Sequence, residues 1–281
     1  MDPGDGDAAE RGLAPRSERG SALGAAGARD GGACRGGAPR AGPGAGDLGA
    51  RARARGAARR GGHVVEWVVN TGFLGVVAAA SGRAAEAILL GEQALARANA
   101  IQSLTSVSIA ETILGGIHVF SGAPERAMEL LRAAAEDAEK AGDRVYAYLA
   151  YGFGGWAASR VGDHEAAAQG MARSRAISEE LGRRLVFADW FDAFAVEAAQ
   201  QAGRGEEAMV LAAGAAEAFR ASGSIFAEGL VQRAWGLALA AQSPSRVDQA
   251  AAHLGESLLL LALGEAHAET ARSRRALEGL Y

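Results

Sequence analysis

The sequence predicts an all-α fold, an array of helical hairpins stacked one on another, from three observations. Gly82, Gly122, Gly162 and Gly203 succeed one another at steps of 40, 40 and 41 residues, and five residues after each comes an alanine, at Ala87, Ala127, Ala167 and Ala208. A second series keeps the same step half a period away, at Gln102, Gly142, Gly182, Gly223 and Gly264. Between these marks lie chiefly the helix formers Ala, Leu, Glu, Arg and Gln, and the only prolines after residue 60 are Pro124 and Pro244. A period of this length is the mark of a stacked array, and two punctuation points per period imply two helices per unit.

Residues 1–61 stand apart. The first 60 hold 15 Gly, 16 Ala, 11 Arg and 4 Pro, with no Val, Ile, Phe, Tyr or Trp. Such a stretch buries too little apolar surface to offset an ordering cost of roughly 1–2 kcal/mol per residue, and disorder is expected. A second reading treats it as translation from a misassigned start or frame, which the source DNA would decide. The arginines of 51–60 are spaced like phosphate contacts but have no interleaved aromatic residue, so a solvated tail is expected and no specific nucleic-acid partner. Eleven arginines against seven acids give this segment +4, leaving −8 for the rest of a chain whose total is −4. The foldable part is acidic.

The repeat domain is expected over residues 62–281, with units at about 64–102, 103–142, 143–182, 183–223 and 224–264. The first unit opens on the most apolar run, Val64 to Ser81, but Glu66 and Asn70 within it argue against a membrane span. In the second unit Pro124 follows Gly122 and precedes Glu125, which closes one helix and opens the next. Asp163 with Glu165, and Glu206 with Glu207, place acids at the same point of later units. The second helix shows a buried stripe, Ala127, Leu130, Leu131 and Ala134 in one unit and Ala208, Leu211, Ala212 and Ala215 in another. In the fifth unit the turn falls at Ser243 or Ser245. Seven residues before the turn each first helix carries a small residue, Gly75, Gly115, Gly155 and, after a break at Val196, Gly236. Glycine inside a helix costs about 0.8–1 kcal/mol relative to alanine, so a close crossing of paired helices is implied. A closing helix over 266–280, with Arg272, Arg274 and Arg275 on a basic outer face, completes the domain. A compact bundle would not need one turn grammar repeated in register.

No constellation for catalysis is present. His63, His118, His164, His253 and His267 never fall three or four residues apart, so no metal site is indicated. The Gly-rich stretch 152–155 lacks the lysine of a phosphate loop, and no serine stands in a nucleophile elbow. Cys34 is the sole cysteine. Acid pairs such as Asp189 with Asp192 are accounted for by helix starts and solvated faces. Neither enzyme activity nor a cofactor is expected, and without an apolar signal core a cytoplasmic location fits.

The pattern of mid-helix small residue, turn glycine and early alanine resembles the tetratricopeptide repeat. Here it reads Gly75, Gly82, Ala87; Gly115, Gly122, Ala127; Gly155, Gly162, Ala167; Val196, Gly203, Ala208; and Gly236, Ser243 or Ser245, Ala250. The period is about 40 rather than 34, and the usual large aromatic of the second helix is replaced by Gly91, Leu131, Met171, Ala212 and Leu254. Longer alanine-rich repeats of this sort look like the C-terminal regions of bacterial signalling ATPase regulators and class III nucleotidyl cyclases. The resemblance implies a right-handed α–α superhelix of about five hairpins, working as a non-catalytic scaffold or sensor that docks a peptide or partner domain in its concave groove. An alternative is a fragment of a larger regulator or cyclase whose catalytic domain lies outside this chain. The groove positions of the family correspond to Trp156, Ser159 and Arg160, to Trp190, Glu197, Gln200 and Gln201, and to Arg233. A competing reading places Phe187, Phe191 and Phe194, and with them Trp190, in the core.

Overall fold

The computed structural model describes residues 45–182 and 184–281, with side chains from His63 onward. The chain divides into Met1–Leu48 and Gly49–Tyr281, and the hairpins belong to the second unit. The segment expected to be disordered lies, for residues 1–44, outside the described residues; the backbone of 45–61 is helical, as the first part of α1 (Ala45–Ala80).

The helices pack in consecutive pairs, five hairpins in all among the described residues. They pair α1 with α2 (Ala84–Ala100), α3 (Leu104–Phe120) with α4 (Pro124–Ala141), α5 (Arg144–Val161) with α6 (His164–Glu180), α7 (Ala188–Gln201) with α8 (Gly205–Ser222), and α9 (Ile225–Gln242) with α10 (Val247–Leu263). The closing helix is α11 (His267–Glu278), and no strand occurs among the described residues. From α2 onward each helix packs on the next, and α3, α5, α7, α9 and α11 also pack side by side. Two layers result, an inner one of first helices and an outer one of second helices.

The turn glycines Gly82, Gly122, Gly162 and Gly203 have φ of +80°, +82°, +83° and +76°, a left-handed region that strains any side chain. Two of the expected marks differ. Gly264 has φ −80°, and the left-handed residue is Glu265 with φ +55°. The fifth turn has no left-handed residue: Ser243 is extended, its hydroxyl accepts from the Ser245 N–H, and a short 3-10 turn over Pro244–Arg246 leads into α10.

Three of the mid-helix glycines, Gly75, Gly155 and Gly236, meet the recurring alanine across their hairpin, whereas Gly115 takes the side chain of Leu131 and the fourth unit has Val196 at this position. A methyl group on Gly155 would lie 3.0 Å from the carbonyl oxygen of Ala167, and one on Gly236 would lie 2.9 Å from that of Ala250. Ala87, Ala127, Ala167, Ala208 and Ala250 are all buried. The backbones touch at these points, which is the packing reason for glycine in a helix.

Aromatic rings fill the inner side. Trp156 on α5 stacks on Phe194 of α7 with centroids 3.9 Å apart and rings within 1° of parallel. Phe120 on α3 meets Trp156, Trp190 and Phe226, and so joins four successive first helices. Phe73 on α1 meets Phe187 at 5.7 Å. The first turn also reaches the last helix, since a methyl group on Gly82 would lie 3.5 Å from Cβ of His267.

Helix α1 buries one side, where Gly72 and Gly75 take the side chains of Ile113 and Ile117. Its other side exposes Trp67, Leu74 and Val77. Among the described residues His63–Ala80 is the one stretch long and apolar enough to cross a membrane, and 33% of it is buried inside the protein.

Candidate functional site

The inner face brings together several of the residues expected to line the groove, but as a buried network. Indole Nε1 of Trp156 donates to Oε2 of Glu197 at 2.9 Å, and Glu197 Oε1 accepts from Nη2 of Arg233 at 3.0 Å. The guanidinium carbon of Arg160 lies 5.2 Å from the centre of the Trp156 ring, a cation–π contact. Trp156, Ser159, Glu197 and Arg233 are buried, and the Ser159 hydroxyl donates back to the Trp156 carbonyl. These four therefore offer no surface to a partner in this arrangement. Trp190 is half-buried among Phe120, Phe187 and Phe226, as the competing core reading has it. Gln200 and Gln201 are half-buried at the end of α7, where Oε1 of Gln201 has no partner among the described residues.

The network is completed by two residues of α11. Glu269 Oε2 lies 2.6 Å from Arg233 Nη2 and 2.9 Å from Arg272 Nη1, and Arg272 Nη2 lies 3.0 Å from Glu197 Oε1. The basic outer face expected of this helix is thus kept by exposed Arg274 and Arg275, while Arg272 turns inward. Period arithmetic would have found the contact. Carrying 40 residues onward from Gly236 reaches Ala276 and sets Ser273 opposite Arg233, whose Nη1 lies 3.5 Å from the Ser273 hydroxyl. Glu269 is one turn earlier on the same face.

Charge decides the protonation states. Desolvation pushes the Glu197 carboxyl up, but Arg233, Arg272 and Arg160 outweigh it and hold it well below the ordinary carboxylate range. Glu269 is lowered by the same balance, with desolvation opposed first by Arg233 and then by Arg272. Arg233 is raised, because Glu269 and Glu197 outweigh its own loss of water. Asp189 and Asp192 are braced by arginine: Arg184 pairs with both and Arg175 approaches Asp192 at 3.9 Å.

The outer layer carries an open cleft of about 750 Å³ between α4 and α6, floored by α5. Its floor is Gly154, Gly155 and Ala158, its walls include Met128, Leu131, Ala166 and Gly170, and Glu125 and Glu129 stand on its rim. The repeat explains the opening. At the position of Gly154 the neighbouring units have Leu74, Leu114, Ala195 and Trp235, and at that of Ala158 they have Ala78, His118, Ala199 and Leu239. In the second unit Leu114 and His118 are buried, whereas in the third unit the corresponding space is empty. A methyl group on Gly154 would meet only Cβ of Leu131, at 3.7 Å. On the rim Arg132 pairs with Glu136 and Arg173 with Glu139, while exposed Glu125 and Glu129 have no cationic partner among the described residues. The expectations above attached no role to this cleft, although the glycine run 152–155 was its visible trace. Comparison with known proteins gives no match to a protein-family model or to a curated sequence, so geometry and chemistry alone bear on what this chain binds.

Proposed function

We propose that the folded part of this chain is a non-catalytic docking module of tetratricopeptide type, cytoplasmic and serving a bacterial signalling or regulatory system. Its partner site is the cleft over α5, which takes a basic amphipathic helix of another protein. The cleft carries this reading because its floor is apolar, that floor has no side chain at Gly154 and only a methyl group at Ala158, and its two unpaired rim charges are carboxylates. An amphipathic helix lays apolar residues on such a floor and sets its cations against the rim. The inner face offers no comparable site, since rings and α11 occupy it.

The test is fluorescence anisotropy with a labelled amphipathic peptide of leucine and lysine, about 18 residues or five turns long, and a leucine–glutamate counterpart. The wild-type chain is expected to bind the lysine peptide saturably and to leave the glutamate peptide free. Gly154→Leu restores the side chain found at position 114, so it closes the cleft and abolishes binding while gaining about 0.8–1 kcal/mol of helix stability. Equal binding by wild type and Gly154→Leu places the partner elsewhere.

A further inference from the structure

We infer that the inner network holds a binding site for one oxyanion, a carboxylate or phosphate group, at Arg160 beside Arg272. Three guanidinium groups, Arg160, Arg233 and Arg272, face two carboxylates, Glu197 and Glu269, through the ion pairs of the network. The network therefore carries one uncompensated positive charge. Arg233 spends it least, because its Nη2 serves both glutamates and its Nη1 serves the Glu269 carbonyl at 3.2 Å and the Ser273 hydroxyl. Arg272 is divided between the two glutamates.

Arg160 has one contact with an acceptor, 3.5 Å from Nη1 to Glu269 Oε1, and otherwise lies over the Trp156 ring. Its remaining N–H donors have no acceptor among the described residues. Buried cations are paired, and a guanidinium is a fork shaped for a carboxylate or phosphate. The side chains of Arg160 and Arg272 are 17% and 24% exposed, so the surplus charge sits where solvent and a small anion can reach it. Burial pushes the Arg160 guanidinium down, Glu197 and Glu269 oppose that push, and Arg272 and Arg233 add to it; an incoming anion would act in the same sense as the two carboxylates. Gln201 marks the vacancy in the pattern. It stands 41 residues after Arg160, as Glu197 stands 41 after Trp156, one turn further along both helices. A glutamate there would supply the missing charge. This site is on the opposite layer from the cleft and does not depend on it.

Isothermal titration of the full chain with sodium phosphate and with sodium succinate, at ionic strength held constant by sodium chloride, tests the site. The wild-type chain is expected to bind at least one of the two saturably at one site, and the two arms tell phosphate from carboxylate. Gln201→Glu is expected to raise Tm and weaken anion binding about tenfold or more, and Arg160→Gln to weaken it as much. Arg204→Gln, which removes an exposed arginine paired with Glu207, is expected to bind as wild type does. Absence of saturable heat in the wild type overturns the site whatever the variants do, as does unchanged binding in a folded Gln201→Glu.

Discussion

Glu269 of the closing helix and Arg233 of α9 form a fully buried ion pair, Oε2 to Nη2 at 2.6 Å, in the middle of a network that spans four helices. Because each is hydrogen-bonded by further partners, removing one member leaves an unpaired charge inside the protein. We expect Glu269→Gln to destabilise the fold by about 3–5 kcal/mol in urea unfolding. Conversion of both residues to apolar ones, Glu269→Leu with Arg233→Met, is expected to recover part of that loss. A double variant no more stable than Glu269→Gln would mean that the pair does not set the cost.

The same network fixes the response to acid. Glu197 and Glu269 are held below the carboxylate value of about 4.3 that they have in the unfolded chain. Their stabilisation is therefore complete above that pH and disappears as pH falls through their lowered values. Wild-type stability is expected to drop steeply below about pH 4, and the drop to be shallower in Glu269→Gln. Urea midpoints between pH 2.5 and 6 measure both slopes.

His118 is buried in α3 with neither ring nitrogen hydrogen-bonded. Desolvation first, and then Arg126, lowers its affinity for a proton, while Glu92 opposes them. Above about pH 6.5 neither state of the chain protonates it, and below that the unfolded state takes up a proton that the folded state refuses. Stability is lost over that window. His118→Leu, the residue found at the matching position 239, is expected to remove the slope and to raise stability by about 1–3 kcal/mol at pH 5.5. A variant less stable than wild type at that pH would contradict the assignment.

Glycines in the two layers should respond in opposite directions to alanine. A methyl group on Gly152 would sit 2.3 Å from Cε2 of Phe191, whereas one on exposed Gly214 in α8 would meet nothing within 4 Å. Gly152→Ala is expected to cost about 1–3 kcal/mol through overpacking. Gly214→Ala is expected to gain about 0.8–1 kcal/mol through helix propensity. Thermal unfolding of the two variants gives the comparison directly.

The hairpins were legible because their signals are local. A turn glycine, the alanine five residues on and the mid-helix glycine are all dictated by contacts within one unit, and 40-residue spacing carries them from Gly82 to Gly203. The left-handed position is at Glu265 rather than Gly264, a one-residue shift at a helix end that leaves no trace in composition. The fate of the groove residues was legible only in part: the 40-residue step sets Ser273 opposite Arg233, but it does not show that Glu269 and Arg272 close over the face. Trp156, Glu197 and Arg233 lie on first helices, and what covers them comes from α11, 72 residues beyond Glu197 at Glu269. The cleft over α5 was missed because it opens where Gly154 has no side chain and Ala158 a small one, which shows only when the units are laid in register.

The contact between Gly82 and His267 changes what kind of object this array is. In an open stack each unit leans only on its neighbours, and the outermost ones fray first. Where the first turn abuts the final helix, loss of either one withdraws support from the other. Deletion of α11 is therefore expected to loosen the turn at Gly82 along with the ninth helix.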